Sequence, residues 1–175
     1  MNYIVFDLEW NQSPEGKEHS QRHLPFEIVE IGAVKLDQNR KKMGEFHRLV
    51  KPQVYDELHF KIQEVTGLNM ERLMQEGLPF EQAIREFLEW CGSEEYRFCS
   101  WGSMDLTELE RNIAYYGLEN PFDRPLLYYD VQKLYKTYHS LISIFRNIHP
   151  GPLISFPHQT IQFTLLNNFP ILFVK

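Results

Sequence analysis

The first 50 residues contain three apolar runs with the composition of β-strands. Residues 3–6 are apolar and lead directly into an acid, which is typical of a buried central strand. The β-branched segment 28–36 and the segment 45–50 predict a second and a third strand. The polar link 37–42 between them indicates that these two strands form an antiparallel hairpin.

A helix is predicted between Pro79 and Gly92. Proline suits the first helical position, and glycine suits the position just past the end. The apolar side chains between them recur at helical spacing and form one continuous face: Phe80, Ala83, Ile84, Phe87, Leu88 and Cys91. We therefore expect Cys91 to serve packing rather than chemistry.

Strands and helices alternate further along the chain. Residues 96–101 predict a strand, and a second helix is expected from Ser103 until Gly117 stops it. Residues 126–129 predict another strand, followed by helix-like residues to about His139. A hairpin followed by alternating strands and helices predicts an α/β fold with a sheet of mixed direction.

Length and composition limit the class of protein. The chain has 175 residues, of which 43% are hydrophobic, which suits a single domain with one core. No apolar run approaches the roughly 18 residues that cross a bilayer, and the N-terminus lacks the basic region of a signal peptide. The cysteines, Cys91 and Cys99, are no disulfide framework, so we expect a cytoplasmic protein without a membrane partner.

Charge is distributed unevenly along the chain. The net charge of −6 argues against nucleic-acid binding by bulk electrostatics, but an enzyme can still hold a strand end through cations. All 24 acids precede residue 131, whereas residues 131–175 contain four basic residues and no acid. This break in composition separates the C-terminal part of the chain from the rest.

The periodic pattern also fails from about Leu141, where prolines interrupt short apolar pieces. One reading is an irregular apolar tail that packs on the domain. The other is a C-terminus that does not match the fold, such as one produced by a shifted reading frame. We therefore predict a domain over 1–138 and a divergent or truncated segment over 139–175.

Asp7 and Glu9 are the first candidates for chemistry. At positions i and i+2 of a strand they point to the same side, with Cα atoms roughly 6.5–7 Å apart. Two such carboxylates can hold hard divalent cations. They could bind two metal ions roughly 3.5–4 Å apart, which is the spacing of two-metal phosphodiester cleavage. The acid pair alone is a weak signal, but its place at the end of a buried strand favours function. Asp105 is open to two readings, a favourable acid in the first turn of a helix or a carboxylate delivered beside Asp7.

Five segments resemble, in this order, the motifs of DEDD-type 3′→5′ exonucleases. They are FDLEW at 6–10, EIGAV at 30–34, VTGL at 65–68, WGSMD at 101–105 and YDVQKL at 129–134. Within that type the chain is most similar to the DEDDh branch and its ERI-1-like and KapD-like exonucleases, over residues 1–138. The resemblance implies a ribonuclease H-like fold, in which helices flank a sheet made of an antiparallel hairpin and parallel strands. It also implies hydrolysis at the 3′ end of a single-stranded nucleic acid, RNA in preference to DNA, with two Mg²⁺ or Mn²⁺ ions.

The resemblance implies a role for each matching residue. Asp7 would bridge both ions, Glu9 would ligate the ion that activates the attacking water, and Asp105 would support the second ion near the leaving oxygen. The backbone of Leu8 and Glu9 would lie close to the terminal ribose. The implied substrate loop beside the terminal nucleotide consists of Thr66, Gly67 and Leu68, although a turn that links two helices explains Gly67 equally well.

The chain departs from the family pattern near its end. The family has a late His that accepts a proton, followed four residues later by an Asp that completes the metal site. Here no Asp follows Asp130; His158 lies near the family's usual spacing, and the residue four positions on is Gln162. His158 is therefore either the catalytic base or a structural histidine. The alternative to an enzyme is a catalytically impaired exonuclease-like module that binds nucleic acid.

Overall fold

The computed structural model describes residues 1–122 and 126–138. Five strands form one sheet in the order β3-β2-β1-β4-β5. The strands are β1 (Asn2–Asn11), β2 (Glu27–Leu36), β3 (Lys42–Leu49), β4 (Tyr96–Ser100) and β5 (Tyr128–Asp130). The α-helices are α1 (Phe60–Thr66), α2 (Met70–Glu76), α3 (Phe80–Cys91) and α4 (Met104–Tyr115), and residues 131–138 are also helical. A 3₁₀ turn, Lys17–His19, lies in the link between β1 and β2.

The central strand β1 pairs antiparallel with β2 and parallel with β4. The hairpin of β2 and β3 is antiparallel, and β4 pairs parallel with β5. The sheet is therefore mixed, as the alternation along the sequence predicts. Within the described residues no helix is long and apolar enough to cross a membrane.

The core lies between one face of the sheet and helices α3 and α4. Ile4, Phe6 and Leu8 alternate along β1 and are each at most 3% exposed. The ring of Phe6 lies 6.2 Å from that of Phe87 on α3 and 5.1 Å from that of Phe98 on β4. Each such buried side chain contributes about 1.5–3 kcal/mol, and their alternation leaves the residues between them on the opposite face of β1.

The helix predicted from its apolar spacing is confirmed as α3. Its apolar face is buried, including Cys91, and Gly92 ends it with a positive φ of 73°. Pro79 is the N-cap rather than the first helical residue, one position before the prediction. The bounds predicted for the last strand also differ from those observed: β5 covers Tyr128–Asp130, whereas the predicted strand covers 126–129.

Two helices were not apparent in the sequence pattern. Both α1 and α2 have seven residues, and α2 buries one side chain, Leu73, whereas α1 buries none of its residues, all of which the structure describes. A helix without a buried stripe leaves no hydrophobic period in the sequence.

Candidate active site

The acids of β1 lie on the face of the strand opposite to its core residues. Asp7 and Glu9 line one cavity of about 380 Å³, as expected for residues at i and i+2 of a strand. The full lining is Asp7, Leu8, Glu9, Trp10, Trp101, Met104 and Asp105. Three carboxylates therefore share one cavity with three large apolar side chains and Leu8.

Asp105 reaches this cavity from the first turn of α4. Strand β4 ends at Ser100, and Gly102, with a φ of 97°, turns the chain into the helix. The Asp105 side chain is 4% exposed, and its Oδ1 accepts a hydrogen bond of 3.2 Å from the backbone N–H of Leu8. Because Leu8 stands between Asp7 and Glu9, this bond ties the start of α4 to the acidic part of β1.

The three carboxyl groups repel one another electrostatically. Burial, then the charges of Asp7, Glu30 and Asp105, raises the pKa of Glu9 to about 7. Burial and the charge of Asp7 raise the pKa of Asp105 to about 6, although the Leu8 N–H opposes this rise. The pKa of Asp7 is also raised, first by desolvation and then by Glu30. A bound cation or proton would relieve this repulsion.

Glu30 is a fourth acid beside the cavity, and it was not predicted as a site residue. It stands directly opposite Glu9 in the register of β1 and β2, and its carboxylate pairs with the imidazole of His47 on β3. The sequence does contain a sign of this role, because Glu30 is an acid within a predicted strand, at the start of the EIGAV segment. Only the hairpin register shows which residue it faces.

The donor set is suited to a hard divalent cation, because carboxylate oxygens are the ligands that Mg²⁺ and Mn²⁺ prefer. In residues 1–122 and 126–138, however, no group of three or more His, Cys, Asp or Glu side chains meets closely enough to hold a metal ion as it stands. Asp7, Glu9 and Asp105 thus share a cavity and an electrostatic field without forming a closed ligand set.

The predicted substrate loop is a turn between two helices. Gly67, with a φ of 70°, ends α1, and the Thr66 hydroxyl donates to the Ile62 carbonyl and accepts from the Leu68 N–H. The described residues that line the cavity come from β1 and from 101–105, so this turn does not form its wall. His158 and Gln162 lie outside the described residues.

Comparison with known proteins settles the family. The exonuclease family model matches residues 4–145, most of the chain. The chain belongs to the exonuclease family. It is 27% identical over 119 residues to the probable 3′-5′ exonuclease KapD of Bacillus subtilis (strain 168), a match over 68% of this chain. This exonuclease-family chain spans 56% of the length of KapD.

Solved structures share the fold of this exonuclease-family chain. The nuclease domain of 3′hExo, a DEDDh family member, is 19% identical, with a TM-score of 0.65 over 79% of this chain and 70% of that one. Cell-death related nuclease 4 is 19% identical, with a TM-score of 0.63 over 89% of this chain and 51% of its own. Exonuclease I is 14% identical, with a TM-score of 0.64 over 80% of this chain and 30% of its own. The predicted ribonuclease H-like fold is confirmed.

Proposed function

We propose that this chain is a metal-dependent 3′→5′ exonuclease that hydrolyses phosphodiester bonds at the 3′ end of a nucleic acid. One observation carries the proposal: Asp7, Glu9 and Asp105 line a single cavity in a chain of the exonuclease family. At this cavity, where the carboxyl pKa values are raised, the proposed occupant is a divalent cation, Mg²⁺ or Mn²⁺. The proposed location of the protein is the cytoplasm.

The residues of the cavity have distinct tasks in this proposal. Asp7 shares the cavity with Glu9 and Asp105, and its charge raises the pKa of both, so it would be the ligand shared by two ions. The buried bond between Leu8 and Asp105 holds Asp105 in place before any ligand arrives. When bound, such ions lower the pKa of water and neutralise charge on phosphate oxygens.

The side chains around the acids suit a nucleotide. Trp10, Trp101 and Met104 give the cavity apolar walls against which a base or ribose can pack. The backbone of Leu8 and Glu9, two residues that line the cavity, is proposed to lie close to the 3′-terminal ribose. The turn Thr66, Gly67 and Leu68, which does not line the cavity, is proposed to lie beside the terminal nucleotide.

A single-stranded end is the proposed partner, RNA in preference to DNA. Among proteins of the same fold, the 3′hExo nuclease domain is bound to rAMP, and a 3′-exonuclease recognises the end of a histone mRNA stem-loop. Exonuclease I, with a TM-score of 0.64, forms a complex with single-stranded DNA. The preference for RNA therefore depends on the ERI-1-like sequence resemblance.

Release of mononucleotides from a 3′-labelled oligonucleotide with Mn²⁺ tests the proposal. Asp7→Asn keeps the shape of the side chain and removes its charge, so it should abolish release. Glu119→Gln, which changes an exposed acid at the surface, is the matched control and should cleave normally. Equal release by wild type and Asp7→Asn would refute the assignment. Parallel RNA and DNA substrates of one sequence test the substrate preference.

His158 is proposed as the general base from sequence alone, because it lies 28 residues past Asp130, near the spacing of the family. His158→Ala should reduce kcat while leaving the affinity for Mn²⁺ unchanged. A variant with wild-type kcat would make His158 a structural residue.

A second candidate function follows from one feature of the sequence. No acid follows Asp130, so the family's last metal ligand is missing and the site has one negative charge fewer. Such a chain would bind a 3′ end without cutting it. Binding of the oligonucleotide with Mn²⁺ present and no release of mononucleotides would favour this binding module.

A further inference from the structure

Helix α1 is held in the fold by its ends rather than by its side chains. None of its seven residues, all within the described part of the chain, is buried, and Phe60 and Val65 are 62% and 70% exposed. A helix of this length is not stable alone in water. Its position must therefore be set by the segments that enter and leave it.

The segment that leaves α1 is anchored by apolar packing. Leu68 is 4% exposed and belongs to a small cluster separate from the main core. Its buried partners are Val29, Leu49, Leu58 and Leu73. Such contacts hold the segment on the domain but are non-directional, so they do not fix its register.

The segment that enters α1 is anchored by Leu58, a member of the same apolar cluster, and by the directional hydrogen bonds of one buried amide, that of Asn11. Asn11 is 0% exposed and is the last residue of β1, two positions after Glu9. Its Oδ1 accepts a hydrogen bond of 2.9 Å from the backbone N–H of His59, the N-cap of α1. Its Nδ2 donates a hydrogen bond of 2.8 Å to the backbone carbonyl of Glu57.

We propose that Asn11 is a positioning residue that sets α1, and the turn Thr66–Leu68 behind it, at a fixed place relative to Asp7 and Glu9. This inference rests on the proposed function. An amide is required because it offers one donor and one acceptor to two backbone groups of opposite kind. The strand that carries the acids thereby also places the turn that is proposed to lie beside the terminal nucleotide.

Asn112 on α4 provides a matched control, because it bonds the neighbouring strand β2 and its approach instead of the entry to α1. It is also 0% exposed, and its side chain accepts from the Ile28 N–H at 3.1 Å and donates to the Phe26 carbonyl at 2.9 Å. Its bonds join α4 to the start of β2 and its approach, not to α1. Asn11→Ala and Asn112→Ala therefore each remove a buried amide that bonds a backbone N–H and a backbone carbonyl. Asn112→Ala also removes a bond of 2.8 Å to the Glu108 carbonyl within α4.

The experiment compares KM and kcat for a single-stranded RNA oligonucleotide with Mn²⁺, together with hydrogen exchange. Asn11→Ala should raise KM roughly tenfold, because misplacement of a positioning element weakens substrate alignment, while kcat and Mn²⁺ affinity stay unchanged. Amides of 59–66 should exchange faster in Asn11→Ala only. Asn112→Ala should lower the melting temperature without changing KM.

A rise of KM in both variants, or in neither, would overturn the inference, as would unchanged exchange in 59–66. If the wild type does not cleave, the proposed function fails, but exchange and the Kd for the same oligonucleotide still decide the role of Asn11. If Asn11→Ala does not fold, Asn11→Ser takes its place, since a hydroxyl adds no charge and can keep one of the two backbone hydrogen bonds. That variant should show the same changes in smaller measure, and wild-type values in it would overturn the inference.

Discussion

Glu9 and Glu30 face each other directly across the antiparallel pair of β1 and β2. Like charges at opposite positions of a sheet are destabilising, and here the charge of Glu30 raises the pKa of both Glu9 and Asp7. Asp7 itself adds to the rise at Glu9 and at Asp105. The folded chain thus concentrates negative charge at one end of β1, at a cost in stability that a bound cation would offset.

The stability of the metal-free protein should fall as pH rises through neutrality. The folded pKa values of Glu9, about 7, and Asp105, about 6, lie above their ordinary values. The folded state therefore binds these protons more tightly than the unfolded state. The stabilisation of the folded state by these two protons is complete below about pH 4 and is lost as pH rises to 6–7. Melting in EDTA between pH 5 and pH 8 measures this, and Glu9→Gln should have a shallower slope than wild type.

Mn²⁺ should raise the melting temperature more at pH 8 than at pH 5, because protons and cations compete for the same carboxylates. An equal rise at both values, or identical pH slopes for wild type and Glu9→Gln, would contradict this electrostatic account of the site.

Removing the charge of Glu30 should stabilise the metal-free protein and weaken its affinity for Mn²⁺. Glu30→Gln abolishes the repulsion across the hairpin, an effect of about 0.2–1 kcal/mol, although it also weakens the pairing with His47. Glu45→Gln on β3 is the control, since this exposed acid pairs with Lys42. Thermal melting and Mn²⁺ titration should separate the two variants. If Glu30→Gln and Glu45→Gln bound Mn²⁺ with indistinguishable affinity, Glu30 would have no electrostatic effect on the site.

The two cysteines should be inert in the folded protein. Cys91 and Cys99 are 3% and 5% exposed, and desolvation raises the pKa of each thiol to about 12. At pH 8 almost no thiolate is present to react. Ellman's reagent should label neither thiol quickly in native buffer and both in guanidinium chloride. Rapid native labelling would mean that α3 or β4 opens far more readily than this packing allows.

Glu27 should be essential for stability, because its carboxylate is 1% exposed and joins three parts of the fold. It accepts hydrogen bonds from the backbone N–H groups of Gln53, Val54 and Tyr55 and from the Tyr116 hydroxyl. Glu27→Ala leaves these donors without partners and should cost about 3–5 kcal/mol in urea denaturation. The surface variant Glu119→Ala should stay within about 0.5 kcal/mol of wild type. If Glu27→Ala also lowered the free energy of unfolding by less than about 0.5 kcal/mol, the stabilising role of this hydrogen-bond network would be contradicted.

The sequence pattern predicts those parts of the fold and of the site that follow a period along the chain or involve neighbouring residues. The alternation of β1 places Asp7 and Glu9 together, and the apolar stripe of α3 marks its helix almost to the residue. Helix α1 could not be predicted, because it contributes no buried residue to any stripe. The closeness of Glu30 and the two bonds of Asn11 depend on strand register and tertiary packing, which no local pattern records. The predictions for 139–175, including His158, remain predictions.

Calorimetric titration with Mn²⁺ tests the central claim most directly, that carboxylates from β1 and α4 jointly hold divalent cations. Asp105→Asn is the decisive variant, because its side-chain oxygen can still accept from the Leu8 N–H while the negative charge is gone. We predict saturable Mn²⁺ binding to the wild type at pH 8 that is at least roughly tenfold weaker in Asp105→Asn. The melting temperature of metal-free Asp105→Asn should be no lower than that of the wild type, because the substitution removes a repelling charge. Equal affinity in the two proteins, or no binding to the wild type, would contradict the account.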